Sequence, residues 1–146
     1  MNITEFCKRY SFVHYGTPTN SWDSFHSNGL ILMQLWQAPG QRIRNSSGRE
    51  KYLRVKCLDQ KNYHEKQIEQ RVGYNGRFKS IDALAAGKKG FALIASPPTE
   101  EHGAGKWSKY ANFDRIYPIT DVEREVNGDI FVILAEPLPS SELGHI

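Results

Sequence analysis

Apolar residues in the first ten positions fall at Ile3, Phe6, Cys7 and Tyr10, the spacing of one face of a helix, and Asn2 with Glu5 forms a capping-box-like pair at its start. From Phe12 to Tyr15 the pattern turns to alternation, which predicts a short strand, and "TPTN" then predicts a turn. Asn20 as cap, Asp23 at the third position, Trp22 and Phe25 on a shared face and Gly29 as terminator predict a second helix. Leu30 to Trp36 is apolar on both faces, as expected of a central strand. "RIR" and "KYLRVKCL" flank the turn residues "NSSG" and predict a hairpin, in whose second arm Leu53, Val55 and Cys57 alternate with Tyr52, Arg54 and Lys56. Asn62 and Glu65 mark a further helix to about Val72, closed by Gly73. Ser80 caps "IDALAA", Gly87 stops it, and "GFALIAS" reads as a buried strand. "RIYPI" resumes extended structure, and "DVEREV-NG-DIFVILAE" is the clearest hairpin of the chain, its Asn-Gly suited to a type I′ turn.

These elements predict an α+β fold with a mostly antiparallel sheet of about six strands and three or four short helices. The 146 residues suit a single domain spanning 1–146, with no internal repeat or interdomain linker. Between "GFALIAS" and "RIYPI" the residues 97–114 have no clear period, and a loop of that length inside a compact domain often carries function. Lys106 and Trp107 within it are candidate contact residues.

Composition narrows the function classes more than it selects one. The chain is 39% hydrophobic and 24% charged, values of an ordinary globular protein, and its longest apolar runs, "GLILM" and "IFVILA", are far short of a membrane span. The start "MNITEFCKRY" lacks the order of a signal peptide, so a cytoplasmic protein without a membrane partner is expected. Cys7 and Cys57 fall on apolar-patterned positions with no C-x-x-C, as expected of two buried thiols. "GAGKWS" departs from a phosphate-binding P-loop at Glu100 and Trp107, and His64-Glu65 lacks the second histidine of a zinc protease, Ile68 standing there. Glu100, Glu101 and His102 are adjacent in a loop and cannot all converge on one ion, so neither a metal nor another cofactor is expected. Cys57 and His64 could approach each other as nucleophile and base, but the inward pattern of Cys57 favours inert burial.

The net charge of +3 is unevenly spread: from Arg42 to Lys56, six basic residues stand against Glu50 alone. Arg42, Arg44, Tyr52, Arg54 and Lys56 would form a basic, aromatic hairpin face, to which phosphates are drawn by counterion release and on whose ring bases can stack. The leading expectation is therefore a small non-catalytic binding or accessory module whose partner is nucleic acid or an acidic protein surface. The alternating charges serve equally as a solvated face that guards an edge. The Trp, Tyr and Phe content allows a homodimer.

A second reading starts from "HYGTPTNSWDSFHSNGL" and from Glu123-Arg124-Glu125. The first resembles the initial strand, turn and helix of the ADP-ribosyltransferase family, and the second resembles its E-x-E element. The resemblance covers residues 12–30 and 123–125. It implies an NAD-dependent transferase in which His14 or Tyr15 holds the nicotinamide and its ribose, and Glu125, with Glu123 before it, stabilises an oxocarbenium-like transition state. Tyr15 separates His14 from Gly16, where the family pattern has the histidine adjacent to the glycine.

Overall fold

The computed structural model describes residues 1–14, 23–36, 42–44, 51–59, 71–96 and 107–145. Helix α1, Ile3–Tyr10, begins as its sequence predicts: the Asn2 Oδ1 accepts the Glu5 N–H at 2.9 Å, and Ile3, Phe6 and Cys7 are buried. It ends at Ser11, whose φ of 63° lets its N–H return to the Cys7 carbonyl.

Strand β1, Phe12–His14, pairs antiparallel with β2, Asp23–His26, and β2 with β3, Ile31–Trp36. The helix expected over 20–29 is corrected, since the described part of that stretch is strand over 23–26 and turn over 27–29. Gly29 has the positive φ its sequence position suggested, 92°, but it closes a hairpin: its N–H bonds the His26 carbonyl at 2.8 Å, and the His26 N–H bonds the Leu30 carbonyl at 2.9 Å. The Trp22–Phe25 spacing carried the helix expectation, whereas the ladder to Ile31–Met33 and the burial of Asp23 and Ser24 decide the outcome.

Strand β3 is central, as expected of a segment apolar on both faces. Ile31, Met33 and Leu35 enter one core and Leu32 the other. After it come β4, Arg42–Arg44, and β5, Lys51–Leu58, which pair as the predicted hairpin, and then helix α2, Arg71–Ala85. Residues 60–70, which hold most of the helix expected over 62–72, lie outside the described residues. Gly73 does not end a helix and Ser80 does not start one, because both lie inside α2. Each Gly costs a helix interior about 1 kcal/mol, but Arg77 and Ile81, one turn apart, are both buried against the sheet and hold the helix together across that cost. Gly87, φ 97°, ends α2 as predicted: its N–H bonds the Leu84 carbonyl and the Lys88 N–H the Ala83 carbonyl, the pair of bonds of a Schellman end.

Strand β6, Gly90–Ala95, runs parallel to β3, an exception to the otherwise antiparallel pairing. A helical turn, Trp107–Tyr110, leads to β7, Arg115–Arg124, then β8, Ile130–Leu134, the two-residue β9, Leu138–Pro139, and a 3₁₀ segment, Ser140–His145. "RIYPI" and "DVER" thus form one strand. The β7–β8 turn is not type I′. Among the described residues Asn127 has no positive φ; Gly128 does, at 94°, and its N–H bonds the Glu125 carbonyl at 3.0 Å. The Asn127 side chain instead accepts the Asp129 N–H at 2.9 Å. This is a three-residue loop with glycine in the left-handed position.

The fold is therefore α+β and mostly antiparallel, as expected, but the counts differ. The sheet runs β1-β2-β3-β6-β7-β8-β5-β4, with β9 also on β7, and the described residues hold two helices longer than a single turn. It curls: β3 and β5 come within 8 Å Cα to Cα although three strands separate them in sheet order. Inside the curl, α2 packs on Met33, Leu35, Val55, Ile94, Val132 and Leu134. On the outer side, α1, Trp107 and Leu143 cover Leu32, Leu93 and Ile116.

Candidate functional site

The inner core contains a buried ion pair. Arg77 of α2 donates from Nε to the Asp23 Oδ2 at 2.8 Å, and to the carbonyls of Cys57 at 2.6 Å and Gln34 at 2.7 Å. Both side chains are almost fully buried, at 4% and 0% exposure, so the guanidinium exchanges water for three fixed acceptors on β2, β3 and β5. Sequence reasoning missed this pair. Its members are 54 positions apart; Asp23 reads as part of a helix cap, and Arg77 belongs to no motif. Cys57, whose carbonyl serves Arg77, has its thiol pushed up to about 11, chiefly by burial. It is therefore protonated and unreactive at neutral pH. The cysteines are free and buried, as expected. His64, the imagined partner, lies outside the described residues.

The basic hairpin is divided by its register. Arg42 pairs with Leu53 and Arg44 with Lys51, which puts positions 42 and 44 on the parity of Leu53 rather than that of Tyr52, Arg54 and Lys56. On the outer side of the sheet the charges of β5 meet those of the β7–β8 hairpin. Arg54 donates from Nε to Glu123 at 2.7 Å and from a terminal nitrogen to Glu125, and its guanidinium lies 3.7 Å from the Phe131 ring centre. Lys56 pairs with Asp129 at 3.2 Å. Phe131, between Lys56 on β5 and Glu123 on β7, is thus roofed by charge pairs. Such half-exposed bonds contribute about 0–1 kcal/mol each, but they neutralise the field that would attract phosphate.

His14 lies on β1 on the same side as Phe12, and the shielding of its ring lowers its pKa. Its two ring nitrogens are buried and make no hydrogen bond among the described residues. It is not brought to Glu125: β2, β3 and β6 lie between β1 and β7, and Glu125 bonds Arg54. Tyr15 and Lys106 lie outside the described residues. Trp107 is a core residue rather than an open contact: it is 6% exposed, its Nε1–H donates to the Leu35 carbonyl at 2.9 Å, and its ring meets Phe113 edge-on.

A concave site does exist, at a place the sequence did not flag. The β6–β7 ladder joins only Phe91 to Pro118 and Ala92 to Tyr117, while β7 runs on to Arg124 beside β8. Past Pro118 the β6 side of β7 faces the end of α2 and the 86–89 connection across a cleft of about 650 Å³. Leu84, Ile119 and Val122 supply its apolar lining, and Lys88, Lys89, Arg124 and Asp121 its charges. Arg124 also reaches Asp82, but at 3.8 Å and with both side chains mostly in solvent. The register of β7 against β8 shifts between Ile119 and Asp121, and the Thr120 hydroxyl donates to the Ile133 carbonyl at 3.1 Å. Bulges of this kind redirect side chains and end pairing beside functional sites.

Among the described residues no group of three or more His, Cys, Asp or Glu side chains could hold a metal ion, and no helix is long and apolar enough to cross a membrane. No known family model, curated protein or solved structure matches the chain.

Proposed function

We propose that the protein is a small non-catalytic binding module for an anionic partner, and that contact centres on the cleft between α2 and β7. One observation carries this reading: the cleft sets three cations against one carboxylate, while Arg54 and Lys56 are matched by carboxylates of the neighbouring hairpin. An excess of cations around a concave, partly apolar surface attracts anions before contact and holds them after it. The basic hairpin then acts mainly to order the sheet.

A single-stranded oligonucleotide serves as the test polyanion. Its affinity should fall steeply between 50 and 200 mM salt, in the manner of phosphate contacts. Lys88→Ala with Lys89→Ala should weaken binding about tenfold or more and flatten the salt slope, and Arg54→Ala should change it little. Absent or salt-independent binding removes the proposal for this polymer. A larger loss from Arg54→Ala returns the contact to the hairpin.

The NAD-dependent transferase reading is favoured by one observation, the shielded and unbonded His14 ring. Its support ends there, since Glu125 is held by Arg54. Thermal shift with NAD and assay of released nicotinamide test it. No shift and no release, with Glu125→Gln indistinguishable from the parent, removes it.

A further inference from the structure

The cleft beside β7 has features that a long polyanion would not require. A polymer needs a long basic track, whereas here the cations edge a half-open cleft of about 650 Å³, within the size range of small-molecule sites. Its lining is mixed. Leu84, Ile119 and Val122 give apolar surface on which a flat ring can rest, and Lys88, Lys89 and Arg124 bring positive charge to the same cleft. Asp121 adds an acceptor for a ring amine or a sugar hydroxyl, although its Oδ1 already accepts the Val122 N–H at 2.8 Å.

The backbone makes this shape firm. Gly90 begins β6 so close to its neighbours that a Cβ there would lie 2.6 Å from the Leu84 side chain and 3.4 Å from that of Ile119. Leu84 and Ile119 therefore both reach over a glycine, where a side chain would crowd them. Gly87 turns the chain out of α2 and sends Lys88 and Lys89 along the cleft. The stem and ammonium of Lys88 lie against Gly29, with Nζ 3.4 Å from where a Cβ would stand, so its head sits beside the β2–β3 hairpin and leaves Lys89 and Arg124 as the cations along β7. An added peptide strand fits the same edge poorly, because Pro118 lacks an N–H and the shift at Thr120 breaks the repeat that strand addition needs.

We infer that this cleft binds a small organic monophosphate with a flat, apolar body, the phosphate at Lys89 and Arg124 and the body against Leu84, Ile119 and Val122. The inference rests on the anion-binding reading above and deepens it by naming the ligand class.

Adenosine monophosphate is the probe, titrated into the full chain by calorimetry and by backbone amide NMR. Ribose 5-phosphate, adenosine and inorganic phosphate are the comparison ligands. The expected result is saturable binding of the monophosphate, at least tenfold tighter than any of the three, with amide shifts concentrated at residues 84–90 and 119–124. Lys89→Ala and Arg124→Ala should each weaken it about tenfold, the size of one charge-assisted contact. Ile119→Ser should reduce its advantage over ribose 5-phosphate without changing the affinity for inorganic phosphate. Three results overturn the inference: no saturation by the monophosphate, equal binding of adenosine or inorganic phosphate, or variants indistinguishable from a folded parent. Oligonucleotide binding without monophosphate binding overturns it and leaves the broader proposal standing. Preferential binding of an acidic peptide assigns the cleft to a protein partner instead.

Discussion

At the level of single residues, partners are set by geometry that residue type does not reveal. Arg54 was legible as an outward position on a basic strand, but not as the residue that holds both Glu123 and Glu125, which lie 69 and 71 positions away. Glu123 and Glu125 carry the resemblance to an E-x-E element, and the sequence does not show that both bond Arg54. Cys57 shows the opposite case, since its inward parity was plain and burial followed. A prediction comes from that burial. The folded thiol titrates near 11, against an ordinary value of 9.0, so the fold favours the protonated form. Its contribution is fully present below about pH 9 and is lost as pH rises towards 11, on the order of 2 kcal/mol. Denaturant unfolding across that window should show Cys57→Ala losing less stability with pH than the parent, and equal losses would contradict the assignment. Burial acts on His14 in the other direction. Its depressed pKa means that stability present above pH 6.5 declines as acid protonates the ring, and His14→Gln should flatten the acid side of the same curve.

At the level of elements, local signals succeeded where the local bond is the final one. The Asn2 cap, the Gly87 stop and the alternation in β5 all act within a few residues, and all are present. Gly29 and Gly73 misled because glycine marks conformational freedom without saying which element uses it. Gly29 closes a hairpin and Gly73 lies within a helix. Gly90 had no local signal at all, and its need is steric. Gly90→Ala should destabilise the fold by about 1–3 kcal/mol, as overpacking does, and unfolding midpoints would show it. Leu84→Ala in the same background should recover part of the loss, because Leu84 is the side chain in the way. Two additive losses would place the strain elsewhere.

For the whole molecule, the curl of the sheet is bridged by a contact that no sequence pattern suggested. Arg77 joins α2 to Asp23 on β2 and to the carbonyls of Gln34 on β3 and Cys57 on β5, and three strands separate β5 from β3 in sheet order. Breaking one side of a buried pair leaves a charge without a partner. Asp23→Asn or Arg77→Met alone should therefore cost about 3–5 kcal/mol. The double variant should cost less than the two single losses added together, and chemical denaturation of all four proteins closes the cycle. Strict additivity would mean that the pair is not what joins these strands.

By itself the sequence determined the class of the fold, the central position of Leu30 to Trp36, the two hairpins and the burial of both cysteines. Each follows from a period of two or 3.6 residues, or from a cap, and these act over short stretches of chain. Only the tertiary structure decided that β3 and β6 run parallel, that Arg54 neutralises the two glutamates, that Arg77 is buried on Asp23, and that a cationic cleft opens where β7 leaves β6. Those outcomes depend on which strands become neighbours in the sheet. That choice minimises unpaired backbone and buried charge over the whole chain, and no stretch of a dozen residues contains it.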